Sequence, residues 1–286
     1  MKSTAEEIEA ALANYRRVTA ERNRRELQVF VDAIVGAGYA DEETAAEFTE
    51  EEMDKERMGQ VADLVEDELD FLAGPAELMG RYDELAARLR LDGTVGGDLD
   101  PEARARSVEP FFQALESALK EKAPADVREI ISAPEEFRVL GRHVTGICGP
   151  GLPHEQTMYP KSLWTSEGGV DHATISSRIL SPEDTNLEGD FGGRIALGWE
   201  PGTTIECQWI CVFVQEEDGS WTWKFVYCEV GQTQVFDTIP DLLEWFLRYT
   251  EEGTPLLEGV TAEVVIDRGV WDLKVRRSVD EAQEEE

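Results

Sequence analysis

The amino-acid sequence predicts an α+β fold, a helical N-terminal region followed by a mainly antiparallel sheet packed against helices. Three observations carry this. Residues 1 to 122 read as helical throughout, with apolar side chains recurring at helical spacing. Residues 205 to 215 and 221 to 230 are rich in β-branched and aromatic side chains and are joined by Glu216-Glu-Asp-Gly-Ser220. Directly after them, Ile239, Leu242, Leu243, Phe246 and Leu247 return to the helical period.

Taken in order, helices are expected over about 4 to 35, 41 to 72, 76 to 90 and 101 to 122, broken by Gly36-Ala-Gly38, Gly74-Pro75 and the glycine-rich stretch 92 to 98. Gly36 and Gly38 follow an apolar helix rather than a strand and lack the third glycine of a dinucleotide loop, so they end a helix. Asp100 and Pro101 supply an N-cap and a first turn, with Val108, Phe111, Phe112, Leu115 and Leu119 as the apolar stripe behind them. From Gly146 the texture changes to Gly/Pro loops and strand-like runs, and residues 260 to 266 with 270 to 275 read as a terminal strand pair. If Asp218 and Gly219 form a two-residue type I′ loop, Trp209 faces Cys228 and Val214 faces Trp223. Both faces of that hairpin are apolar, which places it inside a larger sheet covered on both sides. The following helix, about 238 to 250, is a natural cover: Thr238 and Asp241 read as a capping box, Pro240 is tolerated in the first turn, and Gly253 terminates. The chain thus divides into an acidic helical region 1 to 122, an α+β domain 123 to 275 and a disordered acidic tail 276 to 286.

A family resemblance enters here. Gly192-Gly-Arg-Ile-Ala-Leu-Gly198, the paired strands, and Val235-Phe-Asp-Thr-Ile-Pro-Asp-Leu-Leu-Glu-Trp-Phe-Leu247 resemble the C-terminal half of the SUKH superfamily. Pro124 to Ile131, Glu136-Phe137 and Thr145-Gly146 are its upstream counterparts, with Thr145 standing where the family carries an asparagine. The resemblance covers residues 123 to 253. It implies a sheet closed by a helix, and a place among regulators of cell-wall synthesis and immunity proteins that neutralise toxins.

Charge narrows the partners. A chain of 286 residues with a formal net charge of -34 repels nucleic acid and anionic membranes over most of its surface, so a basic protein is the partner expected. Residues 41 to 70 hold fourteen carboxylates against Lys55 and Arg57, a local balance of -12, and read first as a solvated face and second as a docking site. The arginines 16, 17, 22, 24 and 25 read as neutralising the acidic helices packed beside them. No run approaches the roughly 20 apolar residues of a membrane span, and Glu6, Glu7 and Glu9 stand where a signal peptide needs an apolar core. The location expected is cytoplasmic, with the nucleus left open. Four cysteines in so long a chain make no disulfide framework, and apolar neighbours mark Cys207, Cys211 and Cys228 as buried thiols.

Segments that invite a chemical reading are each incomplete. His154-Glu155 lacks a second histidine one turn later. Asp184, Asn186 and Glu188 alternate like the start of a calcium loop, but the twelfth position is Ile195 rather than a bidentate glutamate. His143, His154 and His172 with Cys148 supply the parts of a nucleophilic pair without fixing a geometry. No catalytic residue, metal or cofactor is assigned. The candidate that remains is a surface one: Trp199 and Glu200 in the Gly/Pro turn 198 to 202, flanked by Asp190 and Glu206, an aromatic anchor ringed by acid. Three functions follow: a non-catalytic binder of a basic protein, an enzyme with a Cys/His or carboxylate site in loops 146 to 190, and an acidic mimic of nucleic acid.

Overall fold

The computed structural model describes residues 2–35, 37–38, 49–97, 99–149, 151–153, 162–163, 172–185, 187, 191, 193–204, 207–229, 232–253 and 274–275. The fold is α+β. The helices are α1 (Ala5–Val35), α2 (Glu50–Val65), α3 (Pro75–Gly80), α4 (Tyr82–Leu85), α5 (Pro101–Lys122), α6 (Glu135–Gly141), α7 (His172–Ser177) and α8 (Ile239–Gly253). The strands are β1 (Ala37–Gly38), β2 (Thr94–Val95), β3 (Gly146–Ile147), β4 (Ser162–Leu163), β5 (Ile179–Leu180), β6 (Ile195–Thr203), β7 (Cys207–Gln215), β8 (Trp221–Glu229), β9 (Gln232–Phe236) and β10 (Lys274–Val275). Strands β5 to β9 form one antiparallel sheet in chain order, and β2, β3 and β4 form a smaller one.

One face of the large sheet carries Trp209, Phe213, Phe225 and Tyr227 and receives the helices. Phe246 of α8 stacks on Trp209 at 5.1 Å between ring centroids, and Trp245 lies 5.0 Å from Tyr227. The other face buries Ile210, Val212, Val214 and Val226 under Leu187, with Phe191 packed against them. The hairpin is therefore covered on both sides, as its two apolar faces require. The expected boundary at residue 122 runs through the main core, which joins Ile8, Leu12 and Tyr15 of α1 and Phe112 of α5 to the sheet and to α8. The C-terminal half of α1 serves a second cluster, where Leu27, Phe30 and Ile34 meet Val61 of α2 and Leu78 of α3. Between the two clusters the buried stripe of α1 is polar: Asn23 Nδ2 donates to the carbonyls of Leu91 and Gly151, both at 2.8 Å, and Tyr15 Oη donates to that of Cys148 at 2.6 Å. One long helix thus fixes both clusters and the loop strands between them.

Three expectations need correction. The hairpin register is one residue off: Trp209 faces Tyr227 rather than Cys228, and Val214 faces Thr222 rather than Trp223. The loop takes three residues, closed by Gly219 N–H donating to the Glu216 carbonyl at 2.9 Å and Glu216 N–H to that of Ser220 at 2.8 Å. Gly219 supplies the left-handed residue this closure needs, at φ 85°. A slip of one turns all of β8 over, which gathers Trp221, Trp223, Phe225 and Tyr227 on the same face as Trp209 and Phe213. Gly219→Ala is expected to cost about 1 kcal/mol, because a Cβ disfavours the left-handed region; chemical denaturation without a loss would mean the loop re-forms by another turn.

The second correction concerns the helix expected over 41 to 72, which ends at Val65, where Glu66 enters the left-handed region at φ 49° and its N–H turns back to the carbonyls of Ala62 and Asp63. Leu69 and Leu72 then fold under the helix, both buried; residues 41 to 48 lie outside the described residues. Third, the helix expected over 76 to 90 is two short ones, α3 and α4, followed by turns. Of the expected terminal strand pair only Lys274 and Val275 are described, as a strand against Gly38 and Ala37. Residues 260 to 266 and the tail 276 to 286 lie outside the described residues. Helix α5 stands as expected, and so does the Thr238 half of the box at α8, with Asp241 N–H donating to Thr238 Oγ1 at 3.2 Å. At the edge of the sheet Gly193 is fixed by close approach, since a Cβ there would meet the Gln215 carbonyl oxygen at 1.9 Å.

Candidate functional site

The aromatic anchor expected at Trp199 is a core residue. Residues 198 to 202 are not a surface turn but part of β6, and the pairing of β6 with β7 slips between Trp199 and Gly202. Pro201 falls at that irregularity, where its missing N–H costs no ladder bond. Trp199 is 1% exposed, with Phe137 at 5.5 Å and Phe111 at 6.3 Å. Glu200 is half-buried and accepts from Gln208 Nε2. Asp190 and Glu206 lie outside the described residues.

Cys148 is buried, His143 faces Glu9 at 3.2 Å, and His154 lies outside the described residues. Burial pushes the Cys211 thiol well above its usual range, which leaves it unreactive. Asp184 turns back to accept from Ser181 Oγ at 2.6 Å and Ser181 N–H at 3.2 Å, while Asn186 and Glu188 lie outside the described residues. Among the described residues no three His, Cys, Asp or Glu side chains gather to hold a metal ion, and no helix is long and apolar enough to cross a membrane. The early arginines are spent locally: Arg16 on the buried Asp92 at 2.7 Å, Arg24 on Asp83 at 2.9 Å, and Arg22 on the Leu247 carbonyl at 2.8 Å.

Two concave surfaces can be traced among the described residues. The larger, about 840 Å³, runs beside α2 and is lined by Glu50, Glu51, Asp54, Lys55, Met58, Gly59 and Ala62 on the helix and by Leu69, Asp70, Leu72 and Ala73 across from it. The sequence builds it simply. Thr49 and Glu52 cap α2 reciprocally, and the backbone N–H of Thr49 holds the Glu52 carboxyl below its usual range. Met53, Val61, Leu64 and Val65 bury the opposite face of the helix, so the acids point outward. Arg57 bonds Glu50 at 3.0 Å and Asp54 at 2.7 Å. Burial opposes its charge, yet these two carboxylates raise the Arg57 guanidinium above its usual range. The Glu51 side chain is 85% exposed, with Lys55 3.9 Å away, a geometry worth little in water and easily exchanged. The result is an apolar floor under a rim of carboxylates.

The smaller pocket, about 170 Å³, lies at the hairpin end among Ile130, Pro134, Phe213, Trp221 and Trp223, with Lys2, Glu136 and Asp237 at its edge. Its polar groups are already engaged. Trp223 Nε1 donates to the Ser132 carbonyl at 2.9 Å, and Lys2 reaches Asp237 at 2.7 Å. Lys224 bridges Glu216, at 2.7 Å, to Asp237. The Lys224 amine holds the Glu216 carboxyl below its usual range, and Lys2 with Lys224 does the same to Asp237. Burial pulls Lys224 down, but its carboxylate partners win and raise it. This is a clasp between the chain start, the hairpin and α8 rather than an open receptor. Sequence reasoning marked the acids of the larger cleft but missed Met58, Ala62, Leu69 and Leu72. The signal was a glycine at position 59 inside a helical pattern with no turn around it.

Compared with family models, with curated proteins and with solved structures, the chain matches none.

Proposed function

We propose that this chain is a non-catalytic interaction protein that binds a basic protein partner inside the cell, as a regulator or an immunity-type inhibitor would. The observation that carries the reading is the cleft beside α2, where four carboxylates rim an apolar floor. The net charge of -34 extends the same preference over the whole surface. The order of β6 to β9 closed by α8 supports the resemblance to the SUKH superfamily, whose regulators and immunity proteins work by binding. Burial of Cys148 and Cys211 favours binding over a thiol-based enzyme.

The test is kinetic. For a partner captured from native extract at low salt, the association rate is expected to fall by about tenfold or more as salt rises, because the Debye length shrinks from about 10 Å at 0.1 M to about 3 Å at 1 M. Glu51→Lys with Asp70→Lys should slow association and flatten that salt dependence while stability stays within about 0.5 kcal/mol, since both side chains are exposed. Affinity that ignores salt would remove the electrostatic basis of the proposal.

A further inference from the structure

The cleft beside α2 has a feature the fold does not use. Gly59 sits well inside a helix of 16 residues, where only proline is a poorer choice. A Cβ at that position meets nothing within 4 Å, so no neighbour demands the glycine. Its bare side opens on the cleft. The α2 residues that line the cleft, from Glu50 to Ala62, make one stripe about 18 Å long at 1.5 Å per residue. That stripe is graded, acid at Glu50, Glu51 and Asp54 and apolar at Met58 and Ala62, with Lys55 between them turned to Glu51 at 3.9 Å and with Leu72 and Asp70 across from it.

The wall also selects the conformation of what it takes. From Met53 onward the backbone N–H groups of α2 are spent within the helix, so the apolar part of the wall at Met58 and Ala62 offers side chains rather than main-chain donors. An extended segment would bring unpaired N–H and C=O groups to an apolar floor, whereas a helix brings its own bonds. Carboxylates on the rim ask for cations above an apolar stripe.

We infer that the cleft takes a basic amphipathic helix of a partner protein, about three turns long, its apolar face seated over Gly59 between Met58, Ala62 and Leu72 and its lysines or arginines against Glu51 and Asp70. This deepens the proposed function and rests on it. The glycine is the point of closest approach, where a side chain of the incoming helix occupies the space that a Cβ would fill.

The experiment uses the full chain and a labelled peptide of about fourteen leucine and lysine residues, long enough for three turns, with leucine at helical spacing. A scrambled peptide of the same composition and an oligolysine of the same charge serve as controls, all read by fluorescence anisotropy. The amphipathic peptide is expected to bind at least about tenfold more tightly than either control and to gain helical circular dichroism. Gly59→Leu should weaken that binding by about tenfold or more while the thermal midpoint holds or rises, because leucine is the better helix former. Met58→Lys, which puts a cation on the floor, should produce the same loss and serves if Gly59→Leu fails to fold. Equal affinity for the three peptides, or unchanged affinity in a folded variant, overturns the inference while leaving salt-sensitive binding of basic chains in place. Binding by none of the three overturns both the inference and the reading beneath it.

Discussion

Trp199→Ala is expected to destabilise the protein by roughly 3 to 5 kcal/mol, the range for deleting a large buried ring. The ring is 1% exposed and sits where three elements meet: Phe111 of α5, Phe137 of α6, and its own strand, paired on one side with Ile179 and on the other with Cys211. Edge-on contacts to aromatic neighbours add to the area lost, and the packed helices cannot collapse into the space without moving the sheet. Chemical denaturation gives the value. A loss below about 1 kcal/mol would mean that the indole does not pack as described. The same variant separates the core role from a surface one, since whatever fraction remains folded should bind a partner with unchanged dissociation.

What the sequence made legible was local and periodic. Helix α5 runs from Pro101 to Lys122 as expected because its start has an Asp-Pro signal and its stripe from Val108 to Leu119 spans three turns. Helix α8 was equally plain, since its cap and stripe are written within 16 residues, Thr238 to Gly253. The losses came where two local readings compete. Asp218-Gly219 suits a two-residue loop and also a three-residue loop with Gly219 in the left-handed region, and only the packing of Phe225 onto Phe137 of α6 and of Tyr227 onto α8 separates them. Gly198 to Gly202 has the composition of a turn, yet an irregular strand accommodates the same residues and carries Trp199 inward. The cleft beside α2 was half legible. Its acids are continuous in sequence, but its floor is completed by Leu69 and Leu72, which reach it only because Glu66 reverses the chain.

A charge of -34 raises the question of how the acidic chain keeps its helices together. Among the described residues most carboxylates are exposed, where water and salt screen their repulsion. Those drawn inward are committed. Asp92 is held by Arg16 at 2.7 Å and accepts from Thr94 N–H at 3.0 Å and Oγ1 at 2.8 Å. Arg104, itself buried, donates to the carbonyls of Leu99 at 2.7 Å and of Gly96 and Arg142 at 3.0 Å, which ties α5 to the small sheet and to the end of α6. Inward charges here act as connectors between elements, whereas the acids of α2 stay exposed and pair within their own helix.

Glu136 is the clearest of these connectors, and Glu136→Ala is expected to cost about 3 to 5 kcal/mol. Its side chain is held in the first turn of α6, and the residue is 4% exposed. One carboxylate oxygen accepts from the N–H groups of Lys2 and Ser3, both at 2.9 Å, and the other from that of Ile239 at 2.8 Å. Ile239 opens α8, so this last bond serves one of the N–H groups that a helix start cannot pair within itself. Truncation strands three donors, each worth about 1 to 3 kcal/mol when left unpaired in the interior, with the half-buried Lys2 end recovering part from water. Glu136→Gln keeps the shape and one acceptor oxygen but turns an amide donor toward a donor, so a smaller loss of the same sign is expected. Hydrogen exchange should report the location as well as the size: the amides of Ser3 and Ile239 should exchange faster in both variants, while those of α2, in the other cluster, should follow only the global change. A loss below about 1 kcal/mol in Glu136→Ala, or unchanged protection at Ile239, would show that Glu136 does not help to join the chain start to α8.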